Sequence, residues 1–200
     1  DKAALAATKA LLDIDRSHVV GLHVRVAPGS LIAGADGGYV PAVVIDDLEK
    51  QDRERAAAAR ALFAAWRKER GLELASAPPK DAASSADWHE VLAPVGSEIG
   101  RRGRAADLIV LARAPRGYSA TTDGALEAAL FSTGRPVLVV PEEPARPLQS
   151  TVVIAWNDSR ESARAVAASW PLLARTERII LFVGGEDEPM RRSADHLADH

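Results

Sequence analysis

Residues 107–112 read DLIVLA, an apolar run without the alternation of polar and apolar residues that a solvated sheet face imposes. Such a run is typical of a strand covered on both faces, and strands of that kind belong to parallel sheets. A second apolar run covers residues 136–140. It follows a predicted helix over residues 124–132, which Gly134 is placed to end. A strand, a helix and a strand at this spacing predict a βαβ unit with a right-handed crossover.

The same alternation continues on both sides of this unit. Helical spacing of apolar residues is found over residues 1–13, 43–70, 94–104 and 160–173. Strand-like runs are found over residues 18–26, 87–92, 151–156 and 178–183. Pro171 is expected to end the fourth of these helices early, because proline lacks an N–H donor. The sequence therefore predicts an α/β protein with a doubly wound parallel sheet sandwiched by helices.

Composition excludes several classes of function. The chain has 200 residues, of which 47% are hydrophobic and 26% charged, so it is expected to fold. A net charge of −3 argues against the positively charged surface that nucleic-acid binding needs. The absence of cysteine removes disulfides and thiolate sites and favours a cytoplasmic location. No apolar run has the length of a membrane span, so neither a membrane nor nucleic acid is an expected partner.

A shift of 159 residues places residues 1–24 over residues 160–183, helix on helix and strand on strand. Five aligned positions are identical: Ala4 with Ala163, Ala6 with Ala165, Arg16 with Arg175, Leu22 with Leu181 and Val24 with Val183. The offset is one domain long, which favours a tandem duplication. We therefore predict a first domain over 1–141, a Pro-rich linker over 142–150 and the start of a second domain over 151–200. Strand 151–156 has no counterpart before residue 1, so we expect a first domain without its first strand and a longer native chain.

Three segments, residues 106–111 (ADLIVL), 126–130 and 134–141 (GRPVLVVP), resemble the closing half of a universal stress protein domain. Residues 153–159 (VIAWNDS), followed by an Ala-rich helix, resemble the opening strand and loop of another such domain. The resemblance covers most of the chain and implies an adenine-nucleotide α-hydrolase-like fold with a five-stranded parallel sheet. It also implies a dimer or a tandem pair, with ATP bound in some members and not in others.

In nucleotide-binding members of that family, a segment G-x2-G-x9-G-[S/T] cradles the phosphates with unobstructed backbone N–H groups. Here Ala112 and a residue near Pro115 stand at the first two glycine positions, and Asp123 precedes Gly124 where Gly-Ser is expected. Proline removes a donor and aspartate adds negative charge, so the motif is largely erased. The candidates for a remaining polar cradle, as against an ordinary solvated loop, are Gly117, Ser119, Thr121 and Thr122.

The resemblance also implies a nucleoside-facing aspartate in the loop that opens the second domain. In this loop either Asn157 replaces the acid or Asp158 supplies it one residue later, and both are candidate binding residues together with Ser159. The alternative is that Asp158 or Ser159 caps the following helix, for which both residue types are well suited. Val24 matches the position whose backbone meets adenine in nucleotide-binding members, and its alternative is an ordinary strand residue of the core.

No Ser/His/Asp trio is indicated by spacing, and His196 with His200 fits a polar helix face better than a metal site. We therefore predict no catalytic residue and no metal. The predicted function is a cytoplasmic, stress-associated binding or signalling protein without clear catalytic activity and without a cofactor. One alternative is an ATP- or AMP-binding protein with at most slow ATP hydrolysis, and another is an adenylating enzyme of a related fold. The predicted partner of edge strand 136–140 is a second copy of the chain or the tandem domain of the same chain.

Overall fold

A computed structural model describes residues 2–13, 16–27, 41–80, 83–113, 120–141, 150–184 and 188–199. The helices in these ranges are α1 (Lys2–Leu12), α2 (Ala42–Glu69), α3 (Val95–Gly103), α4 (Ala120–Ser132), α5 (Arg160–Leu173) and α6 (Glu188–Ala198). The strands are β1 (His18–Arg25), β2 (Glu73–Leu74), β3 (Ser85–Leu92), β4 (Ile109–Ala112), β5 (Val137–Val140), β6 (Thr151–Trp156) and β7 (Arg178–Val183). None of these helices has both the length and the apolar content that a membrane span requires.

Every strand pairing within the described residues is parallel, which confirms the α/β class. The predicted βαβ unit is present, because β4 pairs with β5 in a register that sets Ile109 opposite Val137. β1 pairs with β3 along its whole length, and β2 pairs with the first residues of β3. β6 pairs with β7 in the same way, from Thr151 opposite Arg178 to Trp156 opposite Val183.

The chain divides into two compact units, Asp1–Pro144 and Ala145–His200. In the first unit the described strands form a three-stranded sheet of order β1-β3-β2 and a separate two-stranded sheet of β4 and β5. The predicted single five-stranded sheet is therefore not continuous within the described residues. No described strand lies between β1 and the β4–β5 pair, so no backbone ladder joins the two sheets.

The core of the first unit lies where α2 covers the β1–β3 pair. Phe63 and Trp66 of α2 are buried together with Leu72 and Ala86. The ring of Phe63 also packs on Trp88 of β3, with ring centroids 5.3 Å apart. This apolar stripe is one face of an otherwise charged helix, as the sequence pattern indicated.

Helices α3 and α4 pack closely through small residues. A Cβ added at Gly103 would stand 2.6 Å from Cγ2 of Thr133, and one at Gly100 would stand 3.2 Å from Cβ of Ser132. Gly134 follows α4 with a φ of +67°, the left-handed conformation predicted for its C-terminal cap.

Two helix ends differ from the sequence prediction by more than one residue. α4 begins at Ala120 rather than at residue 124, so Thr121 and Thr122 lie in its first turn and not in a loop. No glycine or proline interrupts residues 120–123, so the helix extends backward by one turn. Pro171 lies inside α5 instead of ending it early. It falls in the last turn, and the N–H of Ala174 still bonds to the carbonyl of Trp170 at 2.9 Å, so the helix continues past the proline.

The second unit consists of β6, α5, β7 and α6 in that order. Trp156, Leu173 and Ala194 are buried in it. The paired strands also carry an apolar face that is exposed, with Val153 opposite Ile180 and Ala155 opposite Phe182. The sequence prediction did not include β2, which has only two residues. It gave no bounds for α6, although it assigned His196 to a polar helix face.

Candidate functional site

A cleft of about 460 Å³ lies at the carboxyl end of β6, in the second unit. Ligands of open parallel α/β sheets bind outside the carboxyl ends of the strands, so the position is the one expected of a binding site. The residues that line it come from the ends of β6 and β7 and from the start of α5: Ala155, Trp156, Asn157, Ser159, Glu161, Ser162, Ala165, Phe182 and Gly184.

The turn that follows β6 is held by hydrogen bonds to α6. Nε1 of the buried Trp156 donates to Oγ of Ser193 at 3.0 Å, and that hydroxyl donates to Oδ1 of Asp158 at 2.6 Å. Asp158 has a φ of +55°, a left-handed conformation that asparagine and aspartate tolerate better than most residues. Its carboxylate is therefore engaged with α6, and Asp158 is not among the cleft residues.

The first turn of α5 is closed by a capping box. Oγ of Ser159 accepts from the N–H of Ser162 at 3.1 Å, and Oγ of Ser162 accepts from the N–H of Ser159 at 3.2 Å. Oδ1 of Asn157 accepts from Oγ of Ser159 at 2.7 Å. Ser159 thus caps the helix, one of the two roles that the sequence left open for it.

The charge of the cleft is negative. Glu161 lies in the first turn of α5 and lines the cleft, whereas no lysine or arginine is among the lining residues. The positive end of the α5 dipole therefore already faces a carboxylate and two hydroxyl groups. Such a lining offers hydrogen bonds and an apolar wall but no cation for a phosphate group.

The other predicted site residues lie elsewhere. Val24 belongs to the first unit, half-buried in β1 opposite Val91 of β3. Gly117 and Ser119 are outside the described residues, and Thr121 and Thr122 belong to the first turn of α4. The described structure therefore brings only Asn157 and Ser159 of the predicted residues into the cleft.

Sequence reasoning missed several cleft residues. Phe182 and Gly184 come from the end of β7, and Glu161 and Ala165 come from α5. The available signal was the parallel pairing of 151–156 with 178–183, because the carboxyl ends of paired parallel strands meet at one edge of a sheet. Applying that rule to both strands would have placed the end of β7, with Phe182 and Gly184, at the same sheet edge as Asn157.

The carboxyl end of the β1–β3 pair in the first unit carries charged residues that are paired with one another. Nε of Arg25 donates to Oδ2 of Asp52 at 2.6 Å, and Arg60 donates to Glu90 at 2.6 Å. The guanidinium of Arg60, assisted by that of Arg25, lowers the pKa of Glu90. Burial lowers the pKa of the neighbouring His23. These mutual pairings indicate a structural role for the network.

No metal site is indicated in the part of the chain that the structure describes, since no three His, Cys, Asp or Glu residues there form a suitable group. The fold and the cleft thus define a parallel α/β protein with an open cleft at the carboxyl ends of β6 and β7.

No protein-family model matches this chain, and no curated protein matches it. The chain is similar to the solved structure of hypothetical protein MJ0577, which was the subject of a structure-based assignment of biochemical function. The two chains are 16% identical, and the match covers 72% of this chain and 89% of the other with a TM-score of 0.45. A likeness at this level assigns neither an activity nor a ligand to this chain.

Proposed function

We propose that this chain is a binding or signalling protein of the universal stress protein type, which acts in the cytoplasm without catalytic turnover. The sequence motifs of the two half-domains support the family, and the parallel α/β architecture is compatible with it. The observation that argues against ATP-dependent chemistry is the state of the loop after β6. Oδ1 of Asn157, Oδ1 of Asp158 and Oγ of Ser159 each have a hydrogen-bond partner within the protein.

A phosphate cradle needs backbone N–H groups that are open to the anion. At the start of α5 the N–H groups of Ser159 and Ser162 are instead bonded to side-chain oxygens. Glu161 adds a negative charge at the same helix turn. Binding a phosphate through these two N–H groups would require breaking the cap and overcoming that charge, which disfavours tight ATP binding through them.

The test is calorimetric titration of ATP and of AMP, each with Mg²⁺, into the protein, together with an assay of ADP release. We expect no micromolar binding of either nucleotide and no ADP release above that of a heat-denatured sample. Micromolar ATP binding, or ADP release by the folded protein alone, would overturn the proposal.

The second candidate is an ATP- or AMP-binding protein with at most slow hydrolysis. The observation that favours it is the cleft itself, which is large enough for a nucleoside and has the aromatic ring of Phe182 in its wall. If this candidate is correct, ATP binds at least as tightly as adenosine, and each displaces the other from the cleft. Replacing Phe182 with alanine then weakens the binding of both ligands.

A further inference from the structure

We propose that the amino-terminal half of α2, residues 42–55, is a pH-gated arm, which is docked on the β1–β3 pair while His23 is neutral and is released when His23 binds a proton. This inference concerns a conformational switch in the first unit. It requires no ligand, so it does not rest on the proposed function. It follows from the position of His23, from the charges around it and from the way each half of α2 is anchored.

His23 lies on the face of β1 that α2 covers. Alternate residues of a strand share one face, and both neighbours of His23 on this face meet α2. A Cβ added at Gly21 would stand 2.8 Å from the ring of Phe63, and Arg25 is hydrogen-bonded to the helix. The half-buried ring of His23 is stacked on Trp88 of β3, with ring centroids 6.2 Å apart. The imidazole therefore occupies the interface between the helix and the sheet.

Charged groups from three elements act on His23. Arg25 of β1 donates to Oδ2 of Asp52 of α2 at 2.6 Å and to Oε1 of Glu90 of β3 at 3.5 Å. The two carboxylates raise the pKa of His23, and Arg25 and Arg55 lower it, but burial has the largest effect and lowers it. Because arginine already engages both carboxylates, a second cation at His23 is poorly compensated while the arm is docked.

Helix α3 also packs against β1, but its charged side chains are engaged with one another. Glu98 accepts hydrogen bonds from both Arg101 and Arg102. The main charged groups that act on His23 come instead from β1, β3 and α2. Protonation of His23 is therefore coupled to the contact between the sheet and α2.

The two halves of α2 are anchored differently. In the carboxyl-terminal half, residues 56–69, Phe63 and Trp66 are buried in the core, and Arg60 is ion-paired with the sheet. All residues of the arm are described and none of them is buried. Asp52 joins the arm to the sheet through its ion pair with Arg25. A segment held by polar contacts opens at a lower free energy than one whose aromatic rings are buried.

The direction of the pH effect follows from the pKa of His23. In the released state the imidazole meets water and has its ordinary pKa of 6.5, whereas burial lowers that pKa in the docked state. The released state therefore binds the proton more readily, and release is favoured as the pH falls below 6.5, by at most about tenfold for each pH unit. Glu90, whose pKa is lowered from 4.5, contributes only below that pH.

Hydrogen exchange of the full chain, measured by mass spectrometry at about pH 7.5 and about pH 5.5, tests the switch. Rates are corrected for the intrinsic effect of pH on exchange. We expect protection of residues 42–55 to fall several-fold at the lower pH, while residues 56–69 stay protected. His23→Phe keeps a ring beside Trp88 but binds no proton, so its arm should stay protected at both pH values. His23→Gln is a second variant that does not titrate, and it should behave in the same way.

His89→Gln is the matched control. His89 follows Trp88 in β3 and therefore points to the face opposite α2, so its loss should leave the response of the arm unchanged. Protection of the arm that is independent of pH in the wild-type chain, or that falls equally in the His23 variants, would overturn the inference. Equal loss of protection in residues 42–55 and 56–69 would also overturn it, because the whole helix would then open as one unit.

Discussion

Gly21 stands where β1, α2 and β3 approach too closely for a side chain. An added Cβ would lie 2.8 Å from Cε2 of Phe63 and 2.8 Å from Cε3 of Trp88, two rigid rings. Glycine in a strand interior ordinarily lowers stability, so its presence here reflects the packing of these rings. The apolar pattern of β1 predicted a strand but gave no reason for its glycine.

Replacing Gly21 with alanine is therefore expected to destabilise the first unit. Overpacking of this kind lowers the free energy of unfolding by about 1–3 kcal/mol, which urea denaturation measures. Gly124→Ala is the control, because a Cβ at that position of α4 meets nothing within 4 Å. The control should be neutral or stabilising by up to about 1 kcal/mol. Equal effects of the two substitutions would contradict the packing argument.

The buried carboxylate of Glu98 predicts a pH-dependent contribution to stability. Arg101 donates to it at 2.6 Å and Arg102 donates to it as well, and these hydrogen bonds lower its pKa from 4.5 to about 2. A carboxyl group whose pKa is lowered by folding stabilises the fold above pH 4.5 and loses that contribution as the pH falls towards 2.

Glu98→Gln should consequently be less stable than the wild-type chain at neutral pH, and the difference should shrink between about pH 4.5 and pH 2. Urea midpoints measured across this range test the expectation. A difference between the two proteins that is independent of pH would show that the ion pairs are not its source.

At the scale of the elements, the strands were the most predictable part of the fold. Continuous apolar runs located β4, β5, β6 and β7 to within two residues, because such runs are typical of parallel strands. The runs did not show that one face of the β6–β7 pair is exposed. Helix ends were less predictable, as Pro171 shows. Losing one hydrogen bond in the last turn of a helix costs little free energy. Tertiary packing therefore determines whether the helix continues past the proline.

The contact between α3 and α4 was not predicted, and it yields a paired test within one helix. Gly103→Ala places a Cβ 2.6 Å from the buried Thr133 and 2.9 Å from Cδ1 of Ile109, so we expect a loss of about 1–3 kcal/mol in the free energy of unfolding. Gly96→Ala places its Cβ 3.7 Å from Ala128, an ordinary contact. Helix propensity should make that variant neutral or more stable. Thermal denaturation of both variants measures the two changes in stability. Changes of the same sign in both variants would contradict the close contact at Gly103.

Strand β5 carries the prediction about assembly. It is hydrogen-bonded to β4 on one side, and Val139 is 40% exposed. An edge strand of this kind presents unpaired N–H and C=O groups to another strand. Together with the resemblance to universal stress proteins, this predicts that two chains pair through β5.

Val139→Lys should therefore shift the chain from dimer towards monomer in sedimentation without unfolding it. Val43→Lys introduces the same change at an exposed position of α2 and should leave the association unchanged. A wild-type chain that is monomeric at high concentration, with fast amide exchange in β5, would show that the prediction is wrong.

Over the whole molecule, the sequence located part of the candidate site and not the rest. Asn157 and Ser159 were found because the resemblance to universal stress proteins implies a nucleoside-facing loop after strand 151–156. Phe182 was missed because its position depends on the register of β6 with β7, which a single strand pattern does not contain. The tandem duplication likewise stays a prediction, although α1 with β1 and α5 with β7 follow one another in the same order.

The division into two units predicts that the protein unfolds in two steps. The second unit, Ala145–His200, buries few large side chains, and its sheet leaves Val153, Ile180 and Phe182 exposed. A unit of this size buries a small fraction of its surface and is marginally stable.

Amides of β6 and β7 should therefore lose protection from hydrogen exchange at lower urea concentrations than those of β1 and β3. Amides of the first unit should stay protected to higher urea concentrations, because Phe63 and Trp66 of α2 are buried in its core. Mass spectrometry of peptides from each strand follows both transitions in one sample. A ligand of the cleft should move the first transition to higher urea and leave the second in place, because only the unit that binds it is stabilised. Loss of protection in all four strands at a single urea concentration would mean that the two units fold as one cooperative body.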